Sequence, residues 1–106
     1  MRVAKISYYK VGSILSMKFT LNNGMESTYA GKSGRDKCSM EAHFREDRPV
    51  SLIKVKASKN WVNEIRFLDN MGALIAEVKA DSGVGDWHDI RLKEGERIVG
   101  FQESHD

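Results

Sequence analysis

Cysteine and histidine are scarce in this sequence, which contains one cysteine and three histidines. Because Cys38 has no partner for a disulfide within the chain, the composition is typical of a reducing compartment and slightly favours a cytoplasmic location. His43, His88 and His105 are too scattered to match the ligand spacing of a zinc site. The sequence therefore predicts no internal disulfide and no metal site, and nothing in it indicates a cofactor.

The sequence also lacks long hydrophobic runs and a concentration of charge of one sign. No segment approaches the roughly 18 apolar residues that a membrane-spanning helix needs, so we expect no membrane span. Lys10 and Lys18 interrupt the apolar stretches near the beginning, so we expect a soluble chain without a signal peptide. The 17 Lys and Arg residues are interspersed with 15 Asp and Glu residues, and the net charge of +2 argues against a dedicated nucleic-acid binder.

Proline occurs only once, and the sequence contains instead a series of short segments in which apolar and polar residues alternate. The clearest of them is residues 61–72, WVNEIRFLDNMG. Ile65 and Phe67 fall on one side of the predicted strand, and the turn residues 70–72 follow it. Segments of this kind predict β-strands joined by tight turns.

The segment 61–72 has a counterpart 48 residues earlier, at residues 13–24, SILSMKFTLNNG. The same offset continues through the later segments of the chain. Repeats of this length indicate a repeated supersecondary unit. A chain of 106 residues is large enough for one domain. We therefore expect a single domain with internal repeats at 13–60 and 61–106 and a separate N-terminal strand at 2–9.

Nine short strands and no convincing helix predict an all-β domain, and the four strands of each repeat match the number in one Greek key. The predicted strands are residues 2–9, 14–21, 27–29, 38–44, 50–57, 61–67, 73–80, 87–92 and 97–102. The apolar side chains expected to form the core are Ile6, Met17, Phe19, Phe44, Ile53, Val55, Ile65, Phe67, Ile90, Leu92, Ile98 and Phe101.

Three segments of the sequence resemble the strand cores and turn glycines of the jacalin-related lectins. They are SMKFTLNNG, NEIRFLDNMG and LKEGERIVGF. The resemblance extends from Val3 to Gln102 and implies a β-prism, in which four-stranded Greek-key sheets surround a pseudo-threefold axis. A β-sandwich of two Greek keys is the alternative architecture. Because the family binds sugars, the resemblance also implies carbohydrate binding.

The most site-like segment is residues 81–89, DSGVGDWHD. Asp86 and Asp89 offer acceptors for hydroxyl groups, and Trp87 offers a flat apolar face for a sugar ring. Gly85 permits a close approach of the backbone, and Gly85 to Asp89 has the Gly-x-x-x-Asp form of the sugar loop of the lectins that the chain resembles. These four residues are the predicted ligand-binding residues. The alternatives are a hairpin loop in which Trp87 packs inward, and a calcium site formed by the aspartates of this segment.

No nucleophile accompanies His88 and its neighbouring aspartates, so the sequence predicts a protein that is not an enzyme. Two classes of function stay open. One is a carbohydrate-binding module with a glycan partner, and the other is a structural, self-assembling or protein-interaction module without sugar binding. An N-terminal strand without a partner strand would expose its edges, so we also expect a homo-oligomer or a chain that is part of a longer one.

Overall fold

The structure is a computed structural model that describes residues 2–26, 30–31, 38, 40–59 and 61–93. Within these ranges the regular structure is entirely β-strand without a helix, which confirms the prediction of an all-β fold. The described residues accordingly include no helix of the length and apolar character needed to cross a membrane. The strands are β1 (Val3–Val11), β2 (Ser13–Leu21), β3 (Ala30–Gly31), β4 (Met40–His43), β5 (Leu52–Ser58), β6 (Trp61–Leu68), β7 (Leu74–Lys79) and β8 (Asp86–Arg91).

The strands form one open antiparallel sheet with the continuous path β4–β1–β2–β6–β5–β8. A single residue pair, Ile14 with Val62, joins β2 to β6, and beyond it β2 pairs with β3 while β6 pairs with β7. The first four strands therefore follow the neighbour order β4–β1–β2–β3, and the last four follow the order β8–β5–β6–β7. In both halves the first strand lies between the second and the fourth.

The pairing between the second and third strands of the first half recurs 48 residues later in the second half. Met17 pairs with Ala30 between β2 and β3, and Ile65 pairs with Val78 between β6 and β7. Each member of the second pair stands 48 positions after its counterpart in the first. The two halves therefore share a spacing of paired residues as well as a sequence pattern.

A glycine with positive φ closes the turn after the second strand of each half. Gly24 follows β2 with a φ of 89°, and Gly72 follows β6 with a φ of 82°. The Gly24 N–H donates to the carbonyl of Leu21 at 2.9 Å, and the Gly72 N–H donates to the carbonyl of Asp69 at 3.1 Å. Because side chains strain this backbone conformation, glycine is the residue that these turns require.

The core is shared by the two halves. Phe19 of β2 and Phe67 of β6 are fully buried, and the ring of Phe44 meets that of Phe67 edge-on with centroids 4.8 Å apart. The predicted core residues that are buried or packed against the core are Ile6, Met17, Phe19, Phe44, Ile53, Val55, Ile65 and Phe67. The core also includes residues that the prediction omitted, namely Val3, Tyr8, Ala42, Ala76 and Val78.

The prediction that Ile90 belongs to the core is wrong, since 50% of this residue is exposed. Ile90 lies on β8, whose only partner among the described residues is β5, so it sits at the rim of the sheet. Leu92 is half-buried and lies outside the core cluster. The predicted last strand, 97–102, with its core residues Ile98 and Phe101, lies outside the described residues.

The N-terminal strand β1 has partners on both of its edges. It pairs with β2 along one edge and with β4 along the other. The expectation of a strand without a partner is therefore wrong, because the fourth strand of the chain returns to lie beside the first. β1 therefore offers no unpaired edge through which the chain would form an oligomer.

Candidate ligand-binding face

The strands β5 to β7 bury one face in the core and present the opposite face to solvent, because successive side chains of a strand point to opposite sides. β8, whose residues are all exposed, extends this solvent side beyond β5. In the observed register Lys54 lies between Asp89 of β8 and Arg66 of β6, and Lys56 lies beside Trp87. We call this solvent side the Trp87 face. Its residues are Leu52, Lys54, Lys56, Glu64, Arg66, Leu68, Leu74, Glu77, Lys79, Trp87, Asp89 and Arg91.

Trp87 lies on the solvent side of the sheet and is 39% exposed, so the alternative in which it packs inward is wrong. The Nζ atom of Lys56 and the Cζ atom of Arg66 are each 5.2 Å from the centroid of its ring. A cation over an exposed tryptophan contributes about 0.5–1 kcal/mol. These two cations therefore favour one orientation of the ring, and part of the ring stays open to a ligand.

A buried carboxylate supports this arrangement. Glu64 faces the same side of β6 as Arg66 and is only 4% exposed. Its carboxylate accepts a hydrogen bond from Nε of Arg66, and the Glu77 Oε2 atom lies 4.0 Å from that nitrogen. A buried carboxylate is tolerated when it is paired, so Glu64 holds the guanidinium in place. Arg66 in turn lies over Trp87.

A depression of about 390 Å³ opens beside the Trp87 ring. Its lining residues are Lys54, Arg66, Leu68, Gly72, Leu74 and Trp87. Leu68, Leu74 and the indole supply apolar walls, while Lys54 and Arg66 supply hydrogen-bond donors. Binding pockets for small molecules run from about 300 to 1,000 Å³ and combine an apolar lining with a few polar groups. This depression is therefore of a size suited to a small ligand such as one sugar unit.

The four predicted site residues divide between two sides of β8. Trp87 lines the depression. Asp89 lies on the same face, with its Oδ1 atom 3.8 Å from Nζ of Lys54, although it is not part of the lining. Asp86 is one residue from Trp87 along the strand and so lies on the opposite side. The structure therefore brings Trp87 and Asp89 together and separates Asp86 from them.

Gly85 makes a close backbone approach, but the approach is to β5. Its φ is 135°, and a Cβ atom added to it would lie 2.6 Å from the carbonyl oxygen of Ala57. This glycine therefore lets β8 begin beside β5. The contact positions the strand that carries Trp87.

The residues of the depression that the sequence prediction missed lie on β5, β6 and β7 and, for Gly72, in the turn that joins β6 to β7. Lys54 and Arg66 pair across β5 and β6, and Leu68 and Leu74 pair across β6 and β7. The alternating pattern of these segments, together with the hairpin turn that joins β6 to β7, indicates which of these side chains share a face. The pairing of β8 with β5 has no such local signal.

The described residues include no group of three or more His, Cys, Asp and Glu side chains that could hold a metal ion. Asp81 instead accepts a hydrogen bond from Nζ of Lys10 at 2.7 Å, and this bond lowers the pKa of Asp81 below its usual value. Asp86 and Asp89 lie on opposite sides of β8. The three aspartates of the calcium alternative are therefore not grouped around one point.

The first half of the fold does not repeat the Trp87 face. The residues 48 positions before Glu64, Arg66, Leu68 and Leu74 are Ser16, Lys18, Thr20 and Glu26. Ser16 is as buried as Glu64, so this position of the fold accepts a small hydroxyl residue and does not require a carboxylate. The charged and aromatic cluster is therefore a property of the second half and not of the shared architecture.

A scan against protein-family models and a search of curated proteins find no match for this sequence. The resemblance to the jacalin-related lectins stays a prediction from the residues that carry it.

Proposed function

We propose that the protein is a non-enzymatic carbohydrate-binding module that takes its ligand on the Trp87 face. The observation that carries this proposal is the position of Trp87, which is exposed on the sheet surface beside a depression with both apolar walls and polar donors. A tryptophan in this position contributes little to the core and offers an aromatic surface beside the depression.

The chemistry of the face suits a sugar. One side of a sugar ring consists of C–H groups, which pack on an aromatic ring, and its hydroxyl groups need fixed donors and acceptors. Lys54 and Arg66 supply donors in the depression, and Asp89 supplies an acceptor next to Lys54. The Glu64–Arg66 pair holds part of this set in place before a ligand arrives, which reduces the cost of ordering it.

The comparison between the two halves supports the same proposal. The first half builds the same strand order without the tryptophan, the buried carboxylate or the two leucines of the second half. Since the fold forms without these residues in one half, their presence in the other is better explained by binding than by folding.

We further propose that each half is a Greek key. The neighbour order fourth–first–second–third is the order of that motif. Of the two architectures expected from the sequence, the shared core of the halves favours the sandwich of two Greek keys over the prism. The resemblance to jacalin-related lectins supports the sugar ligand, and the proposed site lies on a sheet face rather than in a terminal loop.

The test is a glycan array on the purified chain and on two variants, Trp87→Ala and Asp89→Ala. We expect the wild type to retain a small set of glycans and Trp87→Ala to lose them. Asp89→Ala should weaken the binding of these glycans by about 1–3 kcal/mol, the size expected when a polar partner is removed. The matched controls are Trp61→Ala, at an exposed tryptophan 46% accessible, and Glu41→Ala, 48 residues before Asp89. Both controls should bind as the wild type does.

Each other outcome has a definite meaning. If Trp87→Ala retained the same glycans as the wild type, carbohydrate binding would stand but the Trp87 face would not be its site. An array of neutral and acidic glycans on which the wild type retains nothing would overturn carbohydrate binding and favour the protein-interaction module that the sequence left open. Light scattering on the same preparation measures whether the chain forms the homo-oligomer expected from the sequence.

A further inference from the structure

The Trp87 face has an excess of positive charge. Its cationic residues are Lys54, Lys56, Arg66, Lys79 and Arg91, and its anionic residues are Glu64, Glu77 and Asp89. The matching ladder positions of the first half that the structure describes carry Lys5 and Lys18 against Glu26 and Glu41. The excess is therefore a feature of the second half, as the tryptophan is, and it attracts an anionic ligand.

The carboxylates of this face leave one lysine beside the ring unneutralised. Arg66 is bonded to Glu64 and lies 4.0 Å from Glu77, and Lys54 lies 3.8 Å from Asp89. Lys56 forms no ion pair within the part of the chain that the structure describes. Its ammonium group is instead 5.2 Å from the centre of the Trp87 ring.

We propose that the ligand is an acidic sugar, and that Lys56 binds its carboxylate while the sugar ring packs on Trp87. The inference rests on the proposed function, because it names the class of carbohydrate that the same face takes. An ammonium group 5.2 Å from the ring centre is close to a charged substituent at the edge of a sugar ring that packs on the open part of the indole. Lys54, at the wall of the depression, donates to the hydroxyl groups next to that substituent.

Two exposed carboxylates of the face, Asp89 and Glu77, limit the density of negative charge on the ligand. Asp89 and Glu77 flank the depression on β8 and β7, through their pairing with Lys54 and Arg66. They disfavour a ligand with closely spaced phosphate or sulfate groups, because like charges repel one another. A sugar with one carboxylate and several hydroxyl groups finds both the cation and the acceptors that it needs.

The test measures binding of the purified chain to oligomers of glucuronic, galacturonic and mannuronic acid by isothermal titration calorimetry. The comparison ligands are the methyl esters of the same oligomers, and dextran sulfate tests sulfate as the source of the negative charge. We expect at least one acidic oligomer to bind about tenfold more tightly than its ester, as loss of one charged hydrogen bond predicts. Raising the salt concentration should weaken binding of the acid more than binding of the ester.

Variants assign the effect to one residue. Lys56→Gln should remove most of the preference for the acid over the ester. Lys18→Gln, a lysine on the solvent side of β2, should keep it. The stability of both variants is followed by thermal denaturation, so that a loss of binding is separated from a loss of folding.

The possible failures are distinct. This inference would be overturned if the wild type bound the acid and the ester equally tightly. It would also be overturned if Lys56→Gln kept the preference for the acid. In both cases the proposal of carbohydrate binding would stand. Dextran sulfate bound more tightly than every uronic acid oligomer would also overturn the inference. Absence of binding both to this panel and to the neutral glycans of the array would overturn the inference and the proposed function together.

Discussion

Replacement of Gly85 by alanine is the sharpest test of how the fold positions the Trp87 face. Gly85 has a φ of 135°, and an added Cβ would lie 2.6 Å from the carbonyl oxygen and 2.8 Å from the carbonyl carbon of Ala57. The obstructing atoms belong to the backbone of β5, so no side chain can rotate away to make room. The overlap is relieved only if β8 moves away from β5 near its first residue pair, Ala57 with Asp86.

The size of the effect follows from two contributions. A backbone conformation that only glycine adopts readily costs about 1–3 kcal/mol when another residue is forced into it. Disruption of the first pairing between β5 and β8 removes a hydrogen bond with a net value of about 0.5–1.5 kcal/mol. The free energy of unfolding should therefore fall by about 2–4 kcal/mol. In a domain of about 100 residues, each kcal/mol lowers Tm by roughly 4–8 °C, so we expect a fall of about 8–30 °C.

The assay is thermal denaturation followed by far-UV circular dichroism, with Gly83→Ala as the matched control. Gly83 lies in the same loop, and a Cβ atom added to it meets no atom within 4 Å. This control should stay within about 0.5 kcal/mol of the wild type. Equal values of Tm for the two variants would refute the close approach of Gly85 to Ala57. Glycan binding by Gly85→Ala, measured well below its Tm, should be weaker because β8 carries Trp87.

Two further predictions test the core and one of its turns. Phe19→Ala and Phe67→Ala should each lower the free energy of unfolding by about 3–5 kcal/mol, since both rings are fully buried in one shared core. Urea denaturation measures this change. A loss under about 1 kcal/mol for either variant would contradict the shared core. The hydrogen bond from Arg48 at 2.8 Å, with those from the N–H groups of Ala73 and Met71, holds the pKa of Asp69 below its usual value of 3.8. The stabilisation by this carboxylate is present above the unfolded-state pKa and is lost as the pH falls through the lower folded-state pKa. Asp69→Asn should therefore lower the urea midpoint at pH 7. Near about pH 2.5 the urea midpoints of the variant and the wild type should differ less. A difference between the two proteins that is independent of pH would contradict the role of the charge.

The strands and the turn after the second strand of each half were predictable because their signals are local. Alternation places Ile65 and Phe67 on one side of a strand, and the residues around them show this without knowledge of any partner strand. The glycines at 24 and 72 are required by a positive φ within a turn of a few residues. The offset of 48 residues between them was also visible, since it depends only on order along the chain.

The candidate site was predictable only in part. Trp87 was singled out from a segment of glycines and aspartates, and it does lie on the surface beside a depression. The prediction treated Asp86 as its partner, whereas alternation along a strand that begins at residue 86 separates the two. The residues that do surround Trp87, Lys56 and Arg66, stand about 30 and 20 positions earlier in the chain.

By itself the sequence determined the strand periodicity and the turns of this protein, since each depends on residues a few positions apart. It also determined the internal repeat, which depends only on order along the chain. The tertiary structure decided which strand lies beside which. The return of β4 to β1 and of β8 to β5 brings together residues far apart in sequence, and a pattern of alternation is equally compatible with several neighbours. That choice gave β1 partners on both edges and left Ile90 at the rim of the core. It also placed Trp87 beside Lys56, so the strand order decides which side chains make up the candidate face.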